Sequence, residues 1–274
     1  MVNRLSIERR TQIIGALVEG NSIRSVERMT GTHRDTVMRL GFEVGKGCHE
    51  LMFKKMRNLH CERIECDEIW SYVRKKQAML KPGESPRAGD FWTFVAIDPQ
   101  TKLVPCYLTG KRTLDNATMF MRDLARRVDN RTQISTDGLP SYIRAVEDAF
   151  GSKVDYGQVV KFYDAEPVGP GRYAPPKVSK IEKEVIEGNP DMRTLGTSIV
   201  ERQNLNMRMS MRRFTRLTNG FSKKLDNLKG AVALHFAHYN MVRIHRTLRV
   251  TPAMAAGIES RLWTLQELVE ETSK

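Results

Sequence analysis

Three acidic residues far apart in the chain stand where side-chain oxygens could converge on metal ions. Asp67 lies in Glu65-Cys66-Asp67-Glu68-Ile69-Trp70, Asp137 in Ile134-Ser135-Thr136-Asp137-Gly138, and Glu201 in Ser198-Ile199-Val200-Glu201-Arg202-Gln203-Asn204. Carboxylate oxygens are the ligands that hard cations such as Mg²⁺ prefer. Two such ions about 3.5–4 Å apart can stabilise both the attacking and the leaving oxygen of a phosphodiester. Each residue also has a plainer role open to it. Asp67 is flanked by Glu65 and Glu68 and could be one charge on a solvated strand face. Strand alternation sets it beside Ile69 and Val73, where a carboxylate without a partner is expensive, and sets Glu68 with Trp70 on the other face. Asp137 before Gly138 could open a turn. Ser198-x-x-Glu201 reads as a capping box, in which the glutamate would only satisfy a backbone N–H.

The elements that must carry these residues follow from periodicity. Residues 63–73 are rich in β-branched and aromatic side chains and predict a strand, with further strands at 91–97 and 103–108 completing an antiparallel meander. Helical spacing covers 115–128, a short strand 133–136 runs into Asp137, and 140–150 predicts a helix with proline near its first turn. Residues 154–163 suit one more strand. Residues 164–196 hold Pro167, Pro170, Pro175, Pro176 and Pro190 among many charges and are expected to form an inserted loop or arm. Long helices are expected at 198–214 and 222–242. A meander followed by helix, strand, helix, strand and closing helices is a mixed α/β order.

Ahead of this lies a different pattern. Residues 6–46 predict three short helices, capped by Ser6 and Ser22, with Thr30-Gly31-Thr32 as a tight turn before the third. Two short helices joined by a glycine-containing turn form a helix-turn-helix pattern, whose last helix would read the major groove through its N-terminal part. Arg34, Thr36 and Arg39 are then the expected DNA contacts; a plain three-helix bundle is the simpler alternative. The expected organisation is a helix-turn-helix domain over 1–50, a linker over 51–61, a catalytic domain over 62–221 containing the insertion, and a C-terminal helical region over 222–274.

Charge separates these regions further. The 274 residues carry a net charge of +13, which points to a polyanionic partner. Residues 1–60 hold a net +5 and residues 199–250 a net +9, whereas 61–198 hold only +1. Two basic ends around a near-neutral centre fit two separate contacts with a phosphate backbone. Cys48, Cys61, Cys66 and Cys106 form no CxxC pair, which argues against a zinc ribbon and for reduced thiols. No apolar run suggests a signal peptide or a membrane span, and a cytoplasmic protein is expected. His235 and His238 are three apart on a helix, but Leu234, Phe236 and Ala237 around them favour core histidines over metal ligands. Arg243 and Arg246 flank His245 and suit phosphate contact. No GxGxxG, GxxxxGK[ST] or Gly-x-Ser-x-Gly run is present.

The three acidic stretches, extended to Asp67-Glu68-Ile69-Trp70-Ser71-Tyr72-Val73, Thr136-Asp137-Gly138-Leu139-Pro140-Ser141-Tyr142 and Ile199-Val200-Glu201-Arg202-Gln203-Asn204-Leu205-Asn206-Met207-Arg208, resemble the DDE transposases of bacterial insertion sequences, most of all those of insertion sequence one. The segment His238-Tyr239-Asn240, Arg243, His245-Arg246-Thr247-Leu248 and Thr251-Pro252-Ala253 resembles the end of many such enzymes. The resemblance implies an RNase H-like fold, with Asp67 and Asp137 on adjacent strands, Glu201 on a helix beside them, and two Mg²⁺ or Mn²⁺ ions held by the three. It also implies a homodimer or larger assembly on double-stranded DNA, and a DNA-touching role for Arg208, two helical turns beyond Glu201. Enzymes near insertion sequence one usually carry an N-terminal zinc ribbon, which this chain does not supply. The 64 residues from Asp137 to Glu201 also exceed that subgroup's spacing, and the insertion at 164–196 accounts for the excess. The function expected from residues and resemblance together is metal-dependent DNA cleavage and strand transfer at transposon ends. The rival expectation is a non-catalytic helix-turn-helix regulator derived from a transposase.

Overall fold

A computed structural model describes residues 5–164, 177–215 and 218–273. Its centre is a six-stranded mixed sheet in the order β3-β2-β1-β4-β5-β6. The strands are β1 (Arg63–Val73), β2 (Gly89–Ile97), β3 (Tyr107–Gly110), β4 (Thr132–Asp137), β5 (Val154–Asp164) and β6 (Lys177–Glu187). β1 pairs antiparallel with β2 and parallel with β4, which in turn pairs parallel with β5. An antiparallel three-strand meander continued by two parallel strands is the RNase H-like arrangement.

Period-two alternation sends the two sets of β1 side chains into separate cores. Ile64 and Cys66 join Phe94, Phe120, Leu124, Tyr142 and Val146 on one face, under α4 (Leu114–Ala125) and α5 (Pro140–Phe150). Ile69 and Val73 join Val95, Val200, Met207, Val232 and Phe236 on the other, under α6 (Ser198–Ser210) and α7 (Leu225–Met241). Burial of both faces gives a sheet that fixes the direction of every residue along β1 and β4.

The N-terminal helices are α1 (Ile7–Val18), α2 (Ile23–Thr30) and α3 (Arg34–Lys55). Ser6 and Ser22 cap the first two through their side chains, and Gly31 closes α2 in the left-handed conformation at φ 65°. α3 extends well past the expected short helix and runs through the first part of the expected linker. It packs along α7, and the crossing is close because glycines meet: a Cβ on Gly45 would lie 2.2 Å from the carbonyl oxygen of Gly230. After the short helix α8 (Pro252–Ala255), α9 (Leu265–Glu271) packs on α1, and the buried side chains of α1 and α3 run continuously into those of α4 and the sheet.

Three local expectations are corrected. Within 164–196, residues 177–187 form the edge strand β6 rather than loop. Apart from half-buried Ile186, which packs against the core, the side chains described on both of its faces are exposed, and the sequence shows no apolar alternation there. Residues 165–176 lie outside the described residues. The third strand begins at Tyr107, because Val104 is instead clamped by Asn240 of α7. The Asn240 amide donates to the Val104 carbonyl at 2.9 Å, and its oxygen accepts from the Val104 N–H at 3.1 Å. The helix expected to reach 214 ends at Ser210, and a 3-10 turn at Arg212–Phe214 follows. No described helix is long and apolar enough to cross a membrane.

Candidate metal centre

The parallel ladder between β1 and β4 ends at the pair Cys66–Thr136. One residue later β4 terminates at Asp137 and the chain turns into α5, while β1 continues through Asp67 and Glu68 paired only with β2. Ligands of open α/β sheets gather at such carboxyl ends of parallel strands. An open cleft of about 740 Å³ lies there, with Asp67, Glu68, Asp137, Glu201 and Asn204 in its lining together with Arg112 and Lys161. β1, β4 and α6 therefore bring the three expected residues to one place.

Asp67 is oriented from two sides. Its Oδ1 accepts from the backbone N–H of Glu68 at 2.7 Å, and its Oδ2 accepts from the side-chain amide of Asn204 at 2.9 Å. Asp137 Oδ1 accepts from the Leu139 N–H at 3.2 Å, which is the turn-opening bond foreseen for it, yet the same carboxylate faces the cleft. One carboxylate thus opens the turn and lines the cleft.

Glu201 does not form the expected capping box. The N-cap of α6 is Thr197, and no side chain of that residue caps the helix. The helix is capped from another strand: Glu65 Oε2 on β1 accepts from the N–H groups of Ile199 and Val200 at 2.7 and 3.0 Å. A carboxylate at a helix N-terminus is stabilised by the helix dipole as well as by the bonds. With its backbone donors satisfied by Glu65, the helix leaves Glu201 to accept from the Thr197 hydroxyl at 2.7 Å and to pair with the Lys161 ammonium.

Glu68 belongs to the site and was missed by alternation. It does lie on the α5 face, where the Tyr142 hydroxyl donates to its Oε2 at 3.1 Å and its side chain is only 3 % exposed. Both faces of β1 reach the same cleft because β4 stops beside them, and the end of a neighbouring strand leaves no mark in the sequence of β1. Ligand oxygens of Asp67, Glu68 and Asp137 all lie within 4.8 Å of one another. Arg112, in the turn before α4, donates to Glu68 Oε1 at 2.5 Å and stands 3.8 Å from Asp137 Oδ2.

Crowding and burial of like charges show in the acidities. Burial, then the Asp137 charge, pushes the Asp67 carboxyl up to about 6. The same two causes push Glu68 up to about 7, against the pull of Arg112. Burial also raises Asp137. The donor set fits divalent cations: the oxygens are hard, they come from several elements, and the carbonyl oxygen Oδ1 of Asn204 is buried without a hydrogen-bond partner among the described residues. Asp67, Glu68 and Asp137 are the carboxylates close enough to share an ion, and Glu201 lines the same cleft outside that group.

The other expected contacts are dispersed. Arg34, Thr36 and Arg39 occupy the first turns of α3, with both arginines exposed and Thr36 half-buried. Arg208 lines the cleft itself. Arg243 and Arg246 are exposed in the irregular segment after α7. His235 is buried in the core, as its apolar neighbours foretold, and burial lowers its pKa to about 3. All four cysteines are buried free thiols.

No protein-family model matches the chain, and no curated protein matches it. Among solved structures, the chain is similar to a piggyBac transposase in a synaptic complex with hairpin DNA, at 11 % identity and a TM-score of 0.41, over 97 % of this chain and 69 % of that one. It is also similar to the Mos1 strand transfer complex, at 17 % identity and a TM-score of 0.22, over 54 % of this chain and 56 % of that one. A Mos1 mariner paired-end complex with Mn gives 16 % identity and a TM-score of 0.21, over 55 % and 57 % of the two chains. The RNase H-like assignment rests on the strand order of this sheet.

Proposed function

We propose that the chain is a DNA transposase of the DDE type, with Asp67, Asp137 and Glu201 as the residues that hold two Mg²⁺ or Mn²⁺ ions. One observation carries this reading: carboxylates from β1, β4 and α6 line a single cleft, and Glu65 caps α6 so that Glu201 is left for the cleft. The motif resemblance to insertion-sequence enzymes supports the same residues in the same order.

Divalent ions bound there would supply Lewis-acid stabilisation of the attacking and leaving oxygens of a phosphodiester. The chain's own residues set that up. Asn204 and the Glu68 N–H fix the rotamer of Asp67, the Leu139 N–H fixes Asp137, and Thr197 steadies Glu201. Cleavage adds water across a P–O bond and leaves a 3′-hydroxyl and a 5′-phosphate. Joining is a transesterification, in which that 3′-hydroxyl attacks a target phosphodiester and displaces another DNA oxygen. Neither step needs a covalent enzyme intermediate. In this proposal the N-terminal helices find transposon ends through Arg34, Thr36 and Arg39, Arg208, Arg243 and Arg246 contact the DNA backbone, and two chains act together on double-stranded DNA.

The test uses a plasmid carrying this gene with its flanking DNA, incubated with the full-length protein and Mn²⁺. Nicking and joining at the flanks by the wild type, lost in Asp67→Asn, Asp137→Asn and Glu201→Gln while gel-shift binding persists, are expected. DNA binding without metal-dependent cleavage would identify a regulator instead.

A further inference from the structure

Two basic side chains stand among the carboxylates and pair with them. Lys161 on β5 pairs with Glu201, and its ammonium-bearing side chain is 20 % exposed. Arg112 bonds Glu68 and approaches Asp137. Both line the same cleft. While no cation is bound, these pairs offset the repulsion that crowds three or four carboxylates together. A divalent ion taking the same oxygens would repel Lys161 and Arg112 and compete for their partners. Each would then be a cation beside an open cleft, and a phosphodiester backbone is the polyanion that restores a partner to both. Arg112 suits it by its planar fork of donors, Lys161 as a compact charge.

We infer that Lys161 and Arg112 are exchangeable counter-ions: they hold the carboxylates in the metal-free protein and pass to backbone phosphates of DNA when divalent ions bind. Binding of metal and of DNA is thereby cooperative. The inference rests on the proposed reading of the cleft as a metal site.

Two measurements on the full chain test it. Mn²⁺ binding is followed by electron paramagnetic resonance without DNA, and binding of a labelled duplex in Mn²⁺ is followed by fluorescence anisotropy across a salt series. The wild type should bind Mn²⁺ saturably and Asp137→Asn should bind it weakly. Lys161→Met should bind Mn²⁺ tighter by roughly threefold to tenfold, and should lose about 0.9 from the salt slope of DNA binding. Lys161→Arg should restore that slope. Arg112→Met carries the same expected signs, so a folding defect in one variant leaves the other to decide. Mn²⁺ binding that is unchanged or weaker in both Met variants, or an unchanged salt slope, overturns the exchange while leaving the metal site in place. Absence of saturable Mn²⁺ binding in the wild type removes the metal site itself, and the exchange with it.

Discussion

Asn204, one turn beyond Glu201 on α6, donates its side-chain amide to Asp67 on β1 at 2.9 Å. The bond ties the helix that carries one expected ligand to the strand that carries another, and it selects the orientation of the Asp67 carboxylate. Asn204→Leu removes the donor and keeps the branched shape of the side chain. Partners that orient a ligand are typically worth roughly tenfold to a hundredfold in metal affinity, and a loss of that size is expected in a Mn²⁺ titration, with thermal unfolding little changed. Full affinity in Asn204→Leu would mean that Asp67 needs no such guide.

Glu65 is the second link between β1 and α6. Glu65→Ala leaves the N–H groups of Ile199 and Val200 without their acceptor and should destabilise the chain by about 1–2 kcal/mol. Glu65→Gln keeps one acceptor oxygen and should recover part of the loss. Urea unfolding of both variants measures the difference, and metal affinity should fall in the same order because Glu201 rides on the uncapped helix.

The raised acidities of Asp67 and Glu68 set the sign of a pH effect. A carboxyl whose folded pKa lies above its unfolded value holds a proton that the unfolded chain releases. Its contribution to metal-free stability is therefore greatest at low pH and is lost as pH rises through the folded values, about 6 for Asp67 and about 7 for Glu68. Bound cations reverse that penalty. Added Mn²⁺ should raise the unfolding temperature strongly above pH 7 and little at pH 5, with proton release on binding near pH 6.5. Asp137→Asn removes one of the crowded charges and should unfold at a higher temperature than the wild type in chelator at pH 7.5, by roughly 2–4 °C for each kcal/mol relieved.

His235 pulls the other way. Burial, with His238 and Arg243 nearby, lowers it from the ordinary 6.5 to about 3. A group with a depressed folded pKa stabilises nothing by protonation: the unfolded chain takes up the proton first. Stability is thus lost as pH falls from about 6.5 toward about 3, at up to about 1.4 kcal/mol per pH unit. His235→Leu should flatten the acid limb of a stability profile recorded in chelator; an unaltered limb would show that His235 is not its source.

The proposed reading of DNA by α3 gives a separable prediction. Arg34 and Arg39 are exposed on its first turns, so Arg34→Ala and Arg39→Ala should leave the unfolding midpoint unchanged. Binding to the DNA flanking the gene should weaken more than binding to random duplex. Equal loss on both sequences would assign these arginines to the phosphate backbone rather than to bases.

Much of this was legible in the sequence where one face of an element is buried. The strand 63–73 and the helix 140–150 carry regular periodicity, and the structure gives the same bounds. The helix caps at Ser6 and Ser22 announce themselves by residue type. What stayed hidden depends on partners distant in the chain. The Ser198-x-x-Glu201 pattern looked self-sufficient, and only the fold reveals that Glu65 supplies the cap. Glu68 looked excluded by alternation because nothing near it in sequence tells where β4 ends. The edge strand 177–187 was concealed by charges on both of its largely exposed faces, and α3 runs past its expected end because Val44, Cys48, Leu51 and Met52 continue its buried stripe while Gly45 lets it lie against α7.

The central claim is that oxygens from β1, β4 and α6 share divalent ions. Anomalous diffraction from crystals soaked in Mn²⁺ tests it most directly. The expected result is one or two anomalous peaks in the cleft, about 2.1 Å from carboxylate oxygens of Asp67, Asp137 and Glu201. Ordered Mn²⁺ elsewhere on the protein with none beside these three side chains would contradict it.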